Sequence, residues 1–326
     1  MLQLISGLWI SNAIGTFARL DLASTLEGGA VHFATIASAH GLVPDRVCRL
    51  LRALSTIGIV SEPVRGQFAI TPLGRVLGSR SPDSMRSTAM LLTEAFAALW
   101  GNIDAAIASD DNPFDRMFGK QLFSWLADNP QQATLFQRMI EEVHGPETPA
   151  IVAAYDFSHF THIVDVGGGN GSLLAAILSS FPGRKATLYE LPEAVAAVGR
   201  DHPDRLAAIT AVTGDFFESV PASGDAYLLR HVLHDFGDKE CLRILANVRE
   251  AMLPHARILI IEAPLPVDDS PGPGRWLDLH MMLLSGGRER TTEEYSILLG
   301  KAGLRLDRIV PTRHPAIAIL EAVASA

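Results

Sequence analysis

Cysteine is nearly absent: the 326 residues hold only Cys48 and Cys241, far apart and in no Cys-x-x-Cys pair. That excludes a disulfide framework and a cysteine-based zinc site. Positive charge is scarce as well. Lys and Arg number 27 against 36 Asp and Glu, the formal net charge is −9, and no basic run occurs. Such a balance argues against nucleic acid or an anionic membrane as partner. No apolar run reaches the roughly 18 residues needed to span a bilayer. The first ten residues are apolar but lack the basic segment and small-residue cleavage site of a secretory signal, so the expected location is the cytoplasm. Internal repeats and low-complexity segments are missing too. What remains is a chain with 48% hydrophobic and 19% charged residues, with ample material for a core and the length of two domains.

Residues 2–26 read as one helix or two short ones, broken near Gly15 or Asp21, with Arg19 and Asp21 as their only charges. A helix that is apolar on nearly every side must be buried on nearly every side, which points to a subunit interface. A short helix over residues 33–40 follows, then a second over 44–57 with Val47, Leu50, Leu51, Leu54 and Ile57 at helical spacing and Gly58 placed to cap it. A small hairpin over 59–70 completes a winged-helix pattern. Arg46, Arg49 and Arg52 share a face of the second helix and could meet DNA. The acidic chain and the lack of base-reading side chains beside them favour packing or dimerisation. Residues 91–144 are mostly helical. Asp110-Asp111-Asn112-Pro113 has a metal-like look, but Asn and Pro set turn geometry and no histidine stands at ligand spacing, so a turn is expected.

From residue 163 onward short apolar strands alternate with helices. Strands are expected at 162–166, 186–190, 209–212, 226–229 and 257–262, and helices at 172–180, 193–201, 239–253 and 292–302. This is the pattern of a parallel sheet covered on both faces. Two closing strands, 304–310 and 316–322, are joined by Pro311-Thr312-Arg313-His314-Pro315. That link is too short for a parallel crossover, so the final pair must be antiparallel.

The strongest local signal is Val164-Asp165-Val166-Gly167-Gly168-Gly169-Asn170-Gly171, which follows a strand and opens a helix. Such glycines let the backbone approach a ligand closely. Glu190 ends the next strand, where an acid can accept both hydroxyls of a ribose. A nicotinamide dinucleotide and S-adenosylmethionine both fit so far. The dinucleotide fingerprint wants a third glycine three residues after the second, and that position is Ser172 or Leu174 depending on where the count begins. The missing glycine, the antiparallel final hairpin, and the pair Asp215-Phe216, able to meet an adenine amino group and ring, favour S-adenosylmethionine. The fourth strand runs into Arg230-His231-Val232-Leu233-His234-Asp235-Phe236. Polar and aromatic groups thus gather at the carboxyl ends of the first four strands, where open α/β sheets bind ligands.

Taken in order, these residues resemble the plant-type caffeic acid O-methyltransferase family, which has many bacterial natural-product members. The resemblance covers nearly the whole chain. It includes the apolar N-terminal helix, the winged-helix unit, Tyr155-Asp156-Phe157-Ser158, the glycine motif, Glu190-Leu191-Pro192, Gly214-Asp215-Phe216-Phe217, Leu233-His234-Asp235, Ile261-Glu262 and Gly286-Gly287-Arg288-Glu289-Arg290-Thr291. It implies an α/β fold: a Rossmann-like class I methyltransferase sheet behind a mainly helical, winged-helix-like dimerisation domain. The implied domains are 1–90 for dimerisation, 91–150 for connecting helices that contribute to the substrate pocket, and 151–326 for catalysis. An intertwined homodimer is implied, with no DNA and no metal.

By the same resemblance, Asp165, Gly167, Gly169, Glu190, Leu191, Asp215, Phe216, Arg230 and Phe236 would hold S-adenosylmethionine. Glu190 stands where Asp is usual, Arg230 where Lys is common, and Phe236 where Trp is common. His234 matches the general base, with Glu262 and Glu289 as the carboxylates that flank and orient it. An unperturbed histidine, pKa ~6.5, is largely neutral near pH 7 and can take a proton from a phenol. Met139, Ile140, His231, Asp235, His280 and Met281 would line the substrate pocket. The implied reaction methylates a hydroxyl of a small phenolic or enolic secondary metabolite. Two other functions share these features: a non-methylating reaction that retains S-adenosylmethionine, such as hydroxylation or cyclisation, and a ligand-responsive DNA-binding regulator.

Overall fold

Phe17, Leu22, Ile36, Leu51, Leu54 and Phe68 come together as the sealed core of an N-terminal helical unit. The computed structural model describes residues 1–270 and 272–325. Two compact units result, 1–102 with 126–145 and 103–125 with 146–326, so the stretch 91–150 is divided between them.

In the first unit the N-terminal helical segment breaks at Asp21, which takes a left-handed conformation (φ 49°) after the helix Gly7–Arg19. Gly15 does not break it. It lies inside the helix and is buried, and a side chain there would collide with Thr93. The helices Phe33–Ala39 and Pro44–Ser55 follow, the second beginning on Pro44, whose missing N–H costs nothing at a helix start. Three strands form a sheet in the order β1-β3-β2: β1 (Val31–His32), β2 (Val60–Val64) and β3 (Gln67–Ile70). Strand β1 was not foreseen, because two residues carry no readable alternation. Arg52 pairs with Glu62 of β2 at 2.9 Å, so the three-arginine face is partly neutralised within its own fold. Met1, Leu2, Leu4, Ile5, Leu8 and Trp9 remain exposed on this chain.

The second unit is built on a seven-stranded sheet in the order β6-β5-β4-β7-β8-β10-β9. Its strands are β4 (His162–Val166), β5 (Lys185–Glu190), β6 (Thr210–Thr213), β7 (Ala226–Arg230), β8 (Arg257–Glu262), β9 (Leu304–Pro311) and β10 (Ala318–Ala324). The first five are parallel, and β10 is antiparallel to both β8 and β9. Alternation explains the layers. Val164, Val166, Leu229 and Ile260 face the helices Asp238–Ala251 and Thr292–Lys301. Ile163, Leu188, Leu228 and Ile261 face the helix Ser172–Ser180 and the aromatic group Tyr155, Phe157 and Phe160. The Asp-Asp-Asn-Pro stretch is a turn whose Asn112 side chain accepts from the backbone N–H of Phe114 and Asp115, capping the helix Pro113–Phe118. Among the described residues no helix is long and apolar enough to cross a membrane.

Candidate active site

All five parallel strands deliver their carboxyl ends to one edge of the sheet. Beyond β4 the chain turns through Gly167 (φ +68°) and Gly169 (φ +56°), a conformation open to glycine at no steric cost. A side chain at Gly167 would start 3.0 Å from Val232 and 3.4 Å from the Phe216 ring, whereas the space beside Gly169 is open. Glu190, ending β5, accepts from the N–H of Gly169 at 3.2 Å and of Leu191 at 2.6 Å. Burial pushes its carboxyl above the ordinary range. Asp215 follows β6 and accepts from the Phe217 N–H. Phe216, Phe217 and Phe236 pack edge to face with centroids 5.0–5.9 Å apart. Asp165 is sealed under the loop. Burial raises its carboxyl to about 7 despite Arg230, and its Oδ1 has no hydrogen-bond partner.

The Arg230 side chain turns to the helix that precedes the sheet. Its guanidinium donates to Thr148 Oγ1 at 3.0 Å and to Glu147 Oε2 at 2.8 Å, on the helix Glu147–Ala154. His231, in the left-handed region (φ 51°), places Nε2 2.9 Å from the same Glu147 oxygen.

His234 sits in a three-residue 3-10 turn, Leu233–Asp235, just past β7. Its Nδ1 is 2.8 Å from Glu289 Oε1. Glu262, ending β8, accepts through Oε1 from the backbone N–H of Leu233 and His234 at 3.0 and 3.3 Å. Its other oxygen, without a hydrogen-bond partner, lies 3.7 Å from Nδ1 of both His234 and His231. Asp235 Oδ1 stands 3.9 Å from the opposite nitrogen, Nε2. All three central side chains are buried. Burial alone would lower the His234 pKa, but Glu262, Glu289 and Asp235 outweigh it and push it up to about 10. Burial also lifts Glu262 to about 8, against the pull of His234. An unperturbed histidine is largely neutral near pH 7, and the carboxylates around His234 favour its protonated form.

The structure thus brings together Asp165, Gly167, Gly169, Glu190, Leu191, Asp215, Phe216 and Phe236 around the first three strand ends. It gathers His231, His234, Asp235, Glu262 and Glu289 at the next two. His280 and Met281 lie on the helix Gly274–Leu284 of the same unit. Burial, then the nearby His234, lowers the His280 pKa to about 4. Met139 and Ile140 stand on the helix Pro130–His144 of the other unit, with Met139 buried. Several residues went unnoticed in the sequence. Asp278 accepts from the Glu289 N–H at 2.9 Å. Glu147 anchors both Arg230 and His231. Arg290 is fully buried against the His234 turn. The motif 286–291 marked that last segment in the sequence, but it singled out Glu289 and not Arg290.

The observed groups suit S-adenosylmethionine: a cradle without side chains, an acid at the second strand end, and Asp215 with an aromatic wall beyond the third. A family model for an O-methyltransferase domain matches residues 100–305, and one for an O-methyltransferase dimerisation domain matches residues 2–80. The latter span includes the exposed apolar residues at the N-terminus. The chain is 36% identical to the phenazine O-methyltransferase of Lysobacter antibioticus, over 99% of this chain and 95% of the relative. It is 35% identical to the 3-amino-4-hydroxybenzoate 4-O-methyltransferase of Streptomyces cremeus, over 95% and 86%. A methyltransferase in calicheamicin biosynthesis, solved in its SAH-bound form, superposes with a TM-score of 0.85 at 32% identity, covering 99% of this chain and 97% of that one. With the site geometry and these likenesses together, the chain belongs to the plant-type, caffeic-acid-like family of S-adenosylmethionine-dependent O-methyltransferases.

Proposed function

We propose that the chain methylates a hydroxyl of a small aromatic secondary metabolite, with His234 as general base, working as an intertwined homodimer in the cytoplasm. Bound S-adenosylmethionine supplies an electrophilic methyl group. Gly167 and Gly169 would admit its amino-acid end beside Asp165, Glu190 its ribose, and Asp215, Phe216, Leu191 and Phe236 its adenine. Arg230 would contribute through its backbone, since its side chain is committed to Glu147 and Thr148.

The observation that carries the reading is the His234–Glu289 contact of 2.8 Å. With Glu289 accepting from Nδ1–H, Nε2 is the nitrogen left to take the acceptor's proton. Glu262 fixes the turn through two backbone N–H groups. A phenol ionises near ~10 and an ordinary histidine near ~6.5, so that proton transfer would run about 5 kcal/mol uphill. The carboxylates around His234 push its pKa upward and so reduce that cost. Asp235, His231, His280 and Met281 would receive the acceptor. The aromatic acceptors in the names of the matched relatives support the substrate class.

The test is mass spectrometry of a panel of hydroxylated aromatics incubated with S-adenosylmethionine. A gain of one methyl on an oxygen is expected. Methylation confined to amines, or a product without a new methyl, would sink the proposal.

A further inference from the structure

A three-residue turn cannot hold a catalytic side chain by its own hydrogen bonds; Glu262 takes the N–H groups at its start, and its carbonyls need donors of their own. The geometry points to Arg290 as the positioning residue for methyl transfer, an inference that rests on His234 being the base. Its guanidinium donates through Nη1 to the Leu233 carbonyl at 3.0 Å and through Nη2 to the Phe236 carbonyl at 2.9 Å. One planar fork therefore clasps both ends of the turn. Asp238 Oδ1 fixes the fork at 3.2 Å from Nε and 2.9 Å from Nη2. The carbonyl between, of His234, accepts from the Arg288 N–H at 2.9 Å. Gly287 lies so close that a side chain there would start 2.0 Å from the same oxygen. The 286–290 loop thus grips the turn by its backbone while also delivering Glu289 to Nδ1. A guanidinium with 1% exposure is costly unless each donor is used, and here its partners are the carbonyls that set the ring's direction. Lysine carries the charge but has no fork to span two carbonyls.

Arg290→Lys tests this, with Asp238→Asn as the second variant because it loosens the fork from a partly exposed position and leaves the arginine in place. The readouts are kcat, acceptor KM, cofactor Kd and the acidic limb of kcat/KM. Arg290→Lys is expected to lose about 100-fold in kcat, the scale of a 1 Å misplacement. Its cofactor Kd should stay unchanged, and its acidic limb should move toward the ordinary histidine range as the Glu289 contact loosens. Asp238→Asn should show the same pattern, smaller. Unchanged kcat and limb in both variants overturn the proposal, and so does a kcat loss matched by an equal loss of cofactor binding. If Arg290→Lys fails to fold, Asp238→Asn decides alone. His234→Ala runs alongside. Full activity there defeats the base assignment itself, whereas an inactive His234→Ala beside a wild-type-like Arg290→Lys defeats only the positioning role.

Discussion

A histidine with three carboxylates within 4 Å behaves differently from a free one. The carboxylates favour its protonated form, which favours removal of a phenolic proton. The folded-state pKa of His234 is raised, so the base form of the free enzyme increases as pH rises toward about 10. We expect kcat/KM to climb with pH above neutrality, with its acidic limb above the ordinary ~6.5. Glu289→Gln removes one charge and should move that limb downward. A limb that stays in place would show that Glu289 does not hold the proton. Asp165 offers a second check. Its carboxyl is raised from the usual 3.8 to about 7, so the folded state binds the extra proton between those values. Stability from this group is therefore full at low pH and falls as pH rises through that window. Asp165→Asn should raise Tm more at pH 8 than at pH 4. An equal shift at both would contradict the buried, strained carboxylate.

At the scale of elements, the decisive contact is between the 286–290 loop and the His234 turn. Gly287→Ala places a methyl where the His234 carbonyl oxygen stands, and the turn must move. Cofactor affinity should survive while kcat falls, by about 100-fold for a displacement near 1 Å. Retained kcat would mean the turn tolerates the shift. The strand–helix succession of the catalytic unit was legible in sequence because buried parallel strands are short apolar runs bounded by turns, and β4 and β8 ended where expected. The glycine loop, Glu190 and the His234 triad were legible through motif order. Arg290, Asp278 and Glu147 were not, because their roles come from contacts between segments far apart in sequence: Arg290 meets Leu233 and Glu147 meets Arg230. The upward push on the His234 pKa was not legible for the same reason. Spacing names the flanking carboxylates but says nothing of their burial, and burial is what makes their charge effective. Strand β1 escaped because two residues have no period, and β10 lies between β8 and β9, an order that no local pattern encodes.

For the whole molecule, the exposed apolar residues Leu4, Leu8 and Trp9 fall within the matched dimerisation domain, which explains a helix without a polar face. Replacing Leu8 and Trp9 together with Glu should shift sedimentation from dimer to monomer, and an unchanged dimer would place the interface elsewhere. The same match assigns the winged-helix unit to a dimerisation domain. The most direct measurement is single-turnover methyl transfer by His234→Ala, with cofactor Kd determined on the same preparation. The expected result is a rate loss of roughly 10²–10⁴, the range for removal of a general base, with cofactor affinity intact because the glycine loop is untouched. A variant that transfers methyl at the wild-type rate would contradict His234 as the base.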